Sequence, residues 1–268
     1  MTFERQIQDT TETQADLLKV AILAVGGQGG GVLTNWIEHV ARAEGYIVQA
    51  TSVAGVAQRT GATIYYLEMA PASDNAPVFS LAPAGGADVV IAAELMEAGR
   101  AMTRGFVTPQ RTTLIASTHR ILSVSEKMVP GDGVLPPDEV LEAAKLLSRE
   151  RIMFDMNAVA ARNHSIISSA LLGSLAASGA LPFSREAFEA AIRAGGKAVE
   201  TSLNSFAAAY EAAKSDSPES ADEETRIATF GVSGPARQLR EWTALEEAAA
   251  AHEMVEAGGR TGAVLVAC

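Results

Sequence analysis

Residues 19–45 read KVAILAVGGQGGGVLTNWIEHVARAEG, and this stretch decides the fold. Lys19 to Val25 is a short apolar run, the pattern of a parallel strand buried on both faces. It enters Gly26-Gly27-Gln28-Gly29-Gly30-Gly31 directly, where five of six residues are glycine and the backbone can turn tightly. Beyond the loop, Val32, Leu33, Trp36, Ile37, Val40 and Ala41 recur at three- and four-residue spacing. That spacing predicts an amphipathic helix, closed by Gly45 just past its last turn.

Working outward, Tyr46 to Ala50 (YIVQA) and Ala62 to Met69 (ATIYYLEM) are rich in β-branched and aromatic residues and predict two further strands. The polar, small-residue loop between them, Thr51 to Gly61, carries Ser52, Gln58, Arg59 and Thr60. Asp88 to Ala92 and Thr113 to Ser117 read as strands on either side of a helix around Glu94 to Arg104. Pro136 to Glu150 has helical spacing, and Arg151 to Asp155 predicts the last strand. Ser165 to Ser178 and Ser184 to Lys214 follow as alanine-rich helical segments, with Ser184 a plausible N-cap. Strands that keep alternating with helices imply an α/β fold: a doubly wound, mostly parallel, Rossmann-like sheet with helices on both faces. This domain (17–214) follows a polar lead-in (1–16). An acidic linker (215–225) leads to a C-terminal helical tail (226–268) that carries no assignable motif.

Apolar residues make up 48% of the 268 positions, ample for a buried core. A net charge of −11 and a pI near 4.9 exclude a broad phosphate-tracking surface, so nucleic acid is not an expected partner. No apolar run approaches the roughly 20 residues that span a bilayer, and the first 16 residues lack a signal-peptide core. The expectation is a cytoplasmic protein. The single cysteine, Cys268, cannot supply the roughly four thiolates of an iron–sulfur cluster, and the four histidines lack metal-site spacing. Any redox centre that this chain serves belongs to another chain.

A glycine loop that opens a helix offers free N–H groups and the positive end of the helix dipole to a phosphate or carboxylate. Gly27, Gln28, Gly29, Gly30 and Gly31 are therefore candidate ligand contacts, with the Thr34 hydroxyl in the first helical turn. Alternatively the glycines serve only close packing of helix on sheet. A dinucleotide fingerprint expects an acidic residue about 20 positions on. Val48 to Ser52 supplies none, and no Gly-Lys-Ser/Thr follows to make a Walker loop. In the next loop Arg59 is suited to a two-pronged grip on a carboxylate or phosphate, with Ser52, Gln58, Thr60 and Gly61 beside it; an interface arginine fits the same pattern. Asp155, Asn157, Arg162, Asn163 and His164 follow the last strand, and His119 and Arg120 follow the strand 113–117. For both histidines a satisfied structural role is favoured over catalysis. No Ser/His/Asp order or carboxylate pair is evident, so hydrolysis by this chain alone is not expected.

The segments GGQGGGVLT (26–34), GYIV (45–48) and QRTGA (58–62) together resemble the gamma-type domain of 2-oxoacid:ferredoxin oxidoreductases. Within that family, SVAGVAQRTGATIYY (52–66) looks like the indolepyruvate-oxidising branch. Asn163 to Gly173 and Leu181-Pro182 match the family's closing elements, so the resemblance covers about residues 17–212, and it adds Asn163 to the site residues. Ala54 departs from an expected proline, and the tail has no counterpart. The resemblance implies oxidative decarboxylation of an aryl pyruvate to an acyl-coenzyme A, with electrons passed to ferredoxin. It also implies a large partner subunit that carries thiamine diphosphate and the iron–sulfur clusters, with coenzyme A received in part at the glycine loop. Two other readings stay open: a stand-alone nucleotide-binding oxidoreductase, and an assembly module whose loop binds nothing.

Overall fold

The computed structural model describes residues 17–53, 63–73, 86–120 and 137–215. In chain order the elements are β1 (Leu18–Ala24), α1 (Gly30–Ala43), β2 (Tyr46–Val53), β3 (Thr63–Pro71), β4 (Val89–Ala92), α2 (Leu95–Thr103) and β5 (Thr113–Ser117). They continue with α3 (Pro137–Leu147), β6 (Glu150–Phe154), α4 (Met156–Arg162), α5 (Ile167–Ser178), α6 (Arg185–Ala194) and α7 (Val199–Ser215).

One six-stranded sheet has the order β2-β3-β1-β4-β5-β6. The pairs β1–β4, β4–β5 and β5–β6 are parallel, while β3 lies antiparallel between β2 and β1. The buried runs of β1 and β4 have apolar side chains on both sides because helices cover both faces of the sheet. On one face Val20, Ile22, Leu67 and Ile91 meet α1, α4, α5, α6 and α7; on the other Ala21, Leu23, Val90 and Leu114 meet α2 and α3. The expected doubly wound architecture with helices on both faces is what forms.

The details differ from the sequence reading in three places. β2 runs on through Thr51, Ser52 and Val53, because Val53 pairs with Ile64 and the ladder outlasts the apolar pattern. The expected helix 184–214 is two helices, split where Gly196 and Ala198 both take positive φ (68° and 47°). The side chain of Ser184 does cap α6, accepting from the Ala187 amide. A further helix, α4, follows β6 at once; with seven residues it is too short for a periodic signal to stand out. The linker and the helical tail at 215–268 fall outside the described residues, Ser215 excepted.

α2 starts on two acids. Glu94 is its N-cap, accepting from the Met96 and Glu97 amides. Glu97 is only 2% exposed; Arg100 stands 3.4 Å from one carboxylate oxygen, and the other has no hydrogen-bond partner. Burial raises its pKa from 4.5 to about 7, with Arg100 pulling the other way. An acid whose folded value is raised stabilises the fold below its unfolded value and loses that contribution as pH climbs through about 7. Replacing Glu97 by Gln should therefore raise stability by about 3 kcal/mol near pH 8.5 and change little near pH 4. Urea unfolding at the two pH values measures this; equal effects at both would mean that Glu97 ionises normally.

Candidate functional site

In a parallel sheet the carboxyl ends of the strands share one edge, and ligands settle there where neighbouring strands send their helices to opposite faces. β1 feeds α1 on one face, and β4 feeds α2 on the other. The glycine loop after β1, Glu94 after β4, His119 after β5 and Asp155 after β6 therefore line one edge at such a switch point. β2 points the same way as β1, and Thr63 pairs with Ala24, so both ends of the β2–β3 connection stand on this edge.

The loop is held from within and from α5. The main-chain amide of Gln28 donates to the Val25 carbonyl at 3.1 Å, and the Gln28 side-chain oxygen accepts from the Val25 amide at 2.8 Å. Ser168, on α5, donates to the Gly29 carbonyl at 2.9 Å and to that of Gln28 at 3.2 Å. Because trans peptides are planar, carbonyls turned toward Ser168 turn the amides of Gly29 and Gly30 the other way, out of the start of α1. Among the described residues those amides have no acceptor, and α1 has neither a side-chain cap nor an acid in its first turn. The arrangement favours an incoming anion.

The five glycines do different jobs. Gly29 has φ +71°, and a Cβ there would lie 2.3 Å from the Ser168 hydroxyl. At Gly30 a Cβ would lie 2.5 Å from the Tyr65 ring, whose hydroxyl reaches to 3.7 Å from the corresponding point on Gly31. Gly27 needs φ +93°. Gly26 needs neither: its φ is not positive, and among the described residues nothing lies within 4 Å of its Cβ position. The packing of the described residues gives no reason for glycine at 26; an outside molecule approaching the backbone would.

Of the other expected contacts, Thr34 is buried and donates to the Gly30 carbonyl at 2.9 Å, so its proton is committed within α1. Ser52 is exposed near the end of β2, opposite Tyr65 and so one strand away from β1. Asn163 closes α4, donating to the Val159 carbonyl at 2.9 Å. Gln58, Arg59, Thr60 and Gly61 lie outside the described residues. The order β2-β3-β1 also places β3 where a dinucleotide fold pairs β2 with β1, so the usual ribose-binding carboxylate position is not beside the loop.

The edge also gathers residues outside the expected contacts, among them His119 and Asp155, which the sequence places after their strands, and Ser117, which it does not single out. Gln28 Nε2 stands 3.4 Å from His119 Nε2, and His119 Nδ1 stands 2.8 Å from the Ser117 hydroxyl. Burial pushes the His119 pKa below the usual histidine value, with Asp155 opposing. Ile166, 49% exposed, overhangs Gly29, and Val32, 38% exposed, lies on the first turn of α1. For Ser117 and His119 the available signal was their place at and just after the carboxyl end of a strand of a parallel sheet; for Ser168 there was none.

Residues 19–212 match the family described as pyruvate ferredoxin/flavodoxin oxidoreductase. The chain belongs to that family. The match bears out the resemblance read from the glycine loop and makes the chain part of an oxidoreductase. Among curated proteins, indolepyruvate oxidoreductase subunit IorB of Archaeoglobus fulgidus is 28% identical over 206 residues, covering 75% of this chain and 98% of that subunit. Among solved structures, the 2-oxoglutarate:ferredoxin oxidoreductase of Magnetococcus marinus, with 2-oxoglutarate, coenzyme A and succinyl-CoA bound, aligns with a TM-score of 0.51 at 15% identity. That alignment covers 77% of this chain and 32% of the longer one, and it shows a shared fold. The pyruvate oxidoreductase subunit PORC of Thermotoga maritima aligns at 0.49 and 16% identity, over 73% of this chain and 96% of that one. Among the described residues no helix is long and apolar enough to cross a membrane, and no cluster of His, Cys, Asp and Glu could hold a metal.

Proposed function

We propose that this chain is the small subunit of an indolepyruvate-type 2-oxoacid:ferredoxin oxidoreductase, and that its glycine loop receives an anionic group of coenzyme A. The observation that carries the subunit reading is the match to IorB over nearly that subunit's whole length. The cysteine count agrees: one thiol does not fit an iron–sulfur cluster, so the clusters and thiamine diphosphate belong to a large partner subunit. Ferredoxin then meets the complex through that partner. The domain that docks there spans residues 17–214, and the complex works in the cytoplasm.

For coenzyme A the residues present fit a phosphate. The outward amides of Gly29 and Gly30 and the uncapped start of α1 supply donors and partial positive charge, and Gly26 lets the ligand close on the backbone. Gly27 and Gly31 complete the loop, with Gln28 bracing it and Arg59 on the neighbouring connection as a second anion contact. Coenzyme A supplies the thiol that accepts the acyl group; this chain orients it. The exposed Val32 and Ile166 beside the loop favour a second role, as a face that the partner covers.

The test is co-expression with the large subunit, purification through a tag on this chain, and an assay of indolepyruvate-dependent acceptor reduction against coenzyme A concentration. Gly26→Leu should leave the unfolding midpoint and the assembly intact and raise KM for coenzyme A about tenfold, a loss of about 1.4 kcal/mol. Unchanged kinetics would remove the loop from the coenzyme A site, and loss of co-purification would make it the docking face instead.

A further inference from the structure

The hydrogen bonds beside the glycine loop have only one consistent set of directions. Gln28 Oε1 accepts from the Val25 amide at 2.8 Å, so the other end of that side chain, facing His119 Nε2 at 3.4 Å, is the NH2 group. An amide NH2 only donates. His119 Nε2 must then be the lone-pair nitrogen and Nδ1 the protonated one, which donates to the Ser117 hydroxyl oxygen at 2.8 Å. The same oxygen accepts the Met156 amide at 3.0 Å, filling its two lone pairs. One chain of bonds thus runs from the start of α4 through the end of β5 to the loop after β1.

We propose that His119 is a positioning residue for the glycine loop, holding Gln28, and through it the turn from Val25 to Gln28, only while the imidazole is neutral. A proton on Nε2 would set N–H against NH2. Gln28 would swing away and release its side-chain clasp on the Val25 amide, loosening the turn that carries Gly26 and Gly27, which the main-chain bond from the Gln28 amide to the Val25 carbonyl still closes. The backbone carbonyl of His119 accepts from the Leu95 amide at 3.1 Å, so the segment bearing the ring stays tied to α2 while the ring titrates.

The charges around the ring set the direction. Asp155, after β6, favours the imidazolium, but burial outweighs it. Glu94, after β4, is engaged in capping α2, and Arg120 is the next residue along the chain. Among the described residues the glycine-loop side contributes no charge, only the Gln28 amide. A base whose folded value is depressed keeps its neutral-state contribution above its unfolded value, about 6.5, and loses it as pH falls through the folded value. The loop is therefore set at neutral pH and released in acid.

This regulates the site proposed above for coenzyme A, yet its test needs neither partner nor ligand. In the full chain, long-range proton–nitrogen NMR should report the Nδ1–H tautomer of His119 near neutral pH. The Gln28 side-chain amide and the Gly26 and Gly27 amides should shift with the same midpoint as the His119 ring. His119→Gln keeps an acceptor but cannot titrate; it should hold the loop amides at their neutral-pH positions at every pH. His119→Phe, without an acceptor, should displace them at every pH. An Nε2–H tautomer, or loop amides that ignore the His119 midpoint, would overturn the proposal without touching the coenzyme A reading. A glycine loop that fails to bind coenzyme A would leave the proposal standing.

Discussion

Replacing Gly173 by alanine is expected to destabilise the chain by about 3 kcal/mol or more, although alanine is the better helix former. Gly173 sits in α5, which is buried along its whole first nine residues from Ile167 to Leu175. There α5 crosses α7 so closely that a Cβ on Gly173 would lie 2.2 Å from the Phe206 carbonyl oxygen and 3.0 Å from its carbonyl carbon. Those are main-chain atoms of a helix and cannot rotate aside. Ordinary non-bonded contact is about 3.5 Å, so the two helices would have to part by roughly 1 Å along their seam. Ser202, Ser205 and Phe206, all buried in that seam, would lose contact together. Thermal unfolding should fall by about 6–12 °C for a domain of this size. Gly99 is the control: in α2 its Cβ would meet the Val140 methyls at an ordinary 3.6 Å, so Gly99→Ala should be neutral or stabilising by up to about 1 kcal/mol. Equal effects at the two sites would mean that α5 and α7 are not packed this closely.

The second large effect is expected at Gly29. Alanine there adds a left-handed backbone penalty of about 1–2 kcal/mol, since φ is +71°. It also puts a methyl 2.3 Å from the Ser168 hydroxyl, which must turn away and abandon the Gln28 and Gly29 carbonyls. A total of about 2–3 kcal/mol follows. The two causes separate in a double-mutant cycle with Ser168→Ala, which clears the oxygen but leaves the backbone strain. A favourable coupling of about 1 kcal/mol is expected, and strict additivity would disprove the contact. The consequence for function is practical. A substitution at Gly29 disturbs the fold first, whereas at Gly26, with no described residue within 4 Å of its Cβ position, a change probes whatever approaches the loop from outside.

Much of the fold was legible because its signals are local. β5 forms at Thr113–Ser117, where its apolar run lies, and Ser184 caps the helix that it precedes. The loop of five glycines marked the first βα unit, since few other sequences can leave a strand and begin a helix within six residues. β3 was legible as a strand, yet its place was not. Its alternation in residues such as Tyr65, Tyr66 and Glu68 reports which faces are covered and says nothing about whether β1 or β4 lies alongside.

The candidate site divides along the same line. Gln28 was singled out as a ligand contact from its position among glycines; only the structure shows its oxygen turned back onto Val25 and its nitrogen toward His119. His119 and Ser117 are 91 and 89 positions from Gln28, and Ser168 is 140, so no local pattern could join them. Beyond the local Val25–Gln28 turn, the network that holds the loop among the described residues is made of such pairs.

By itself, the sequence determined the class of fold, the position of the glycine loop and, through the motifs that resemble it, the family, because periodicity, glycine placement and short motifs are properties of short stretches of chain. Tertiary structure alone decided which glycines are held by their packing and which one has no described neighbour, where β3 inserts, and which histidine nitrogen faces the loop. Those follow from distances between residues far apart in the chain, and such distances exist only once both faces of the sheet are covered.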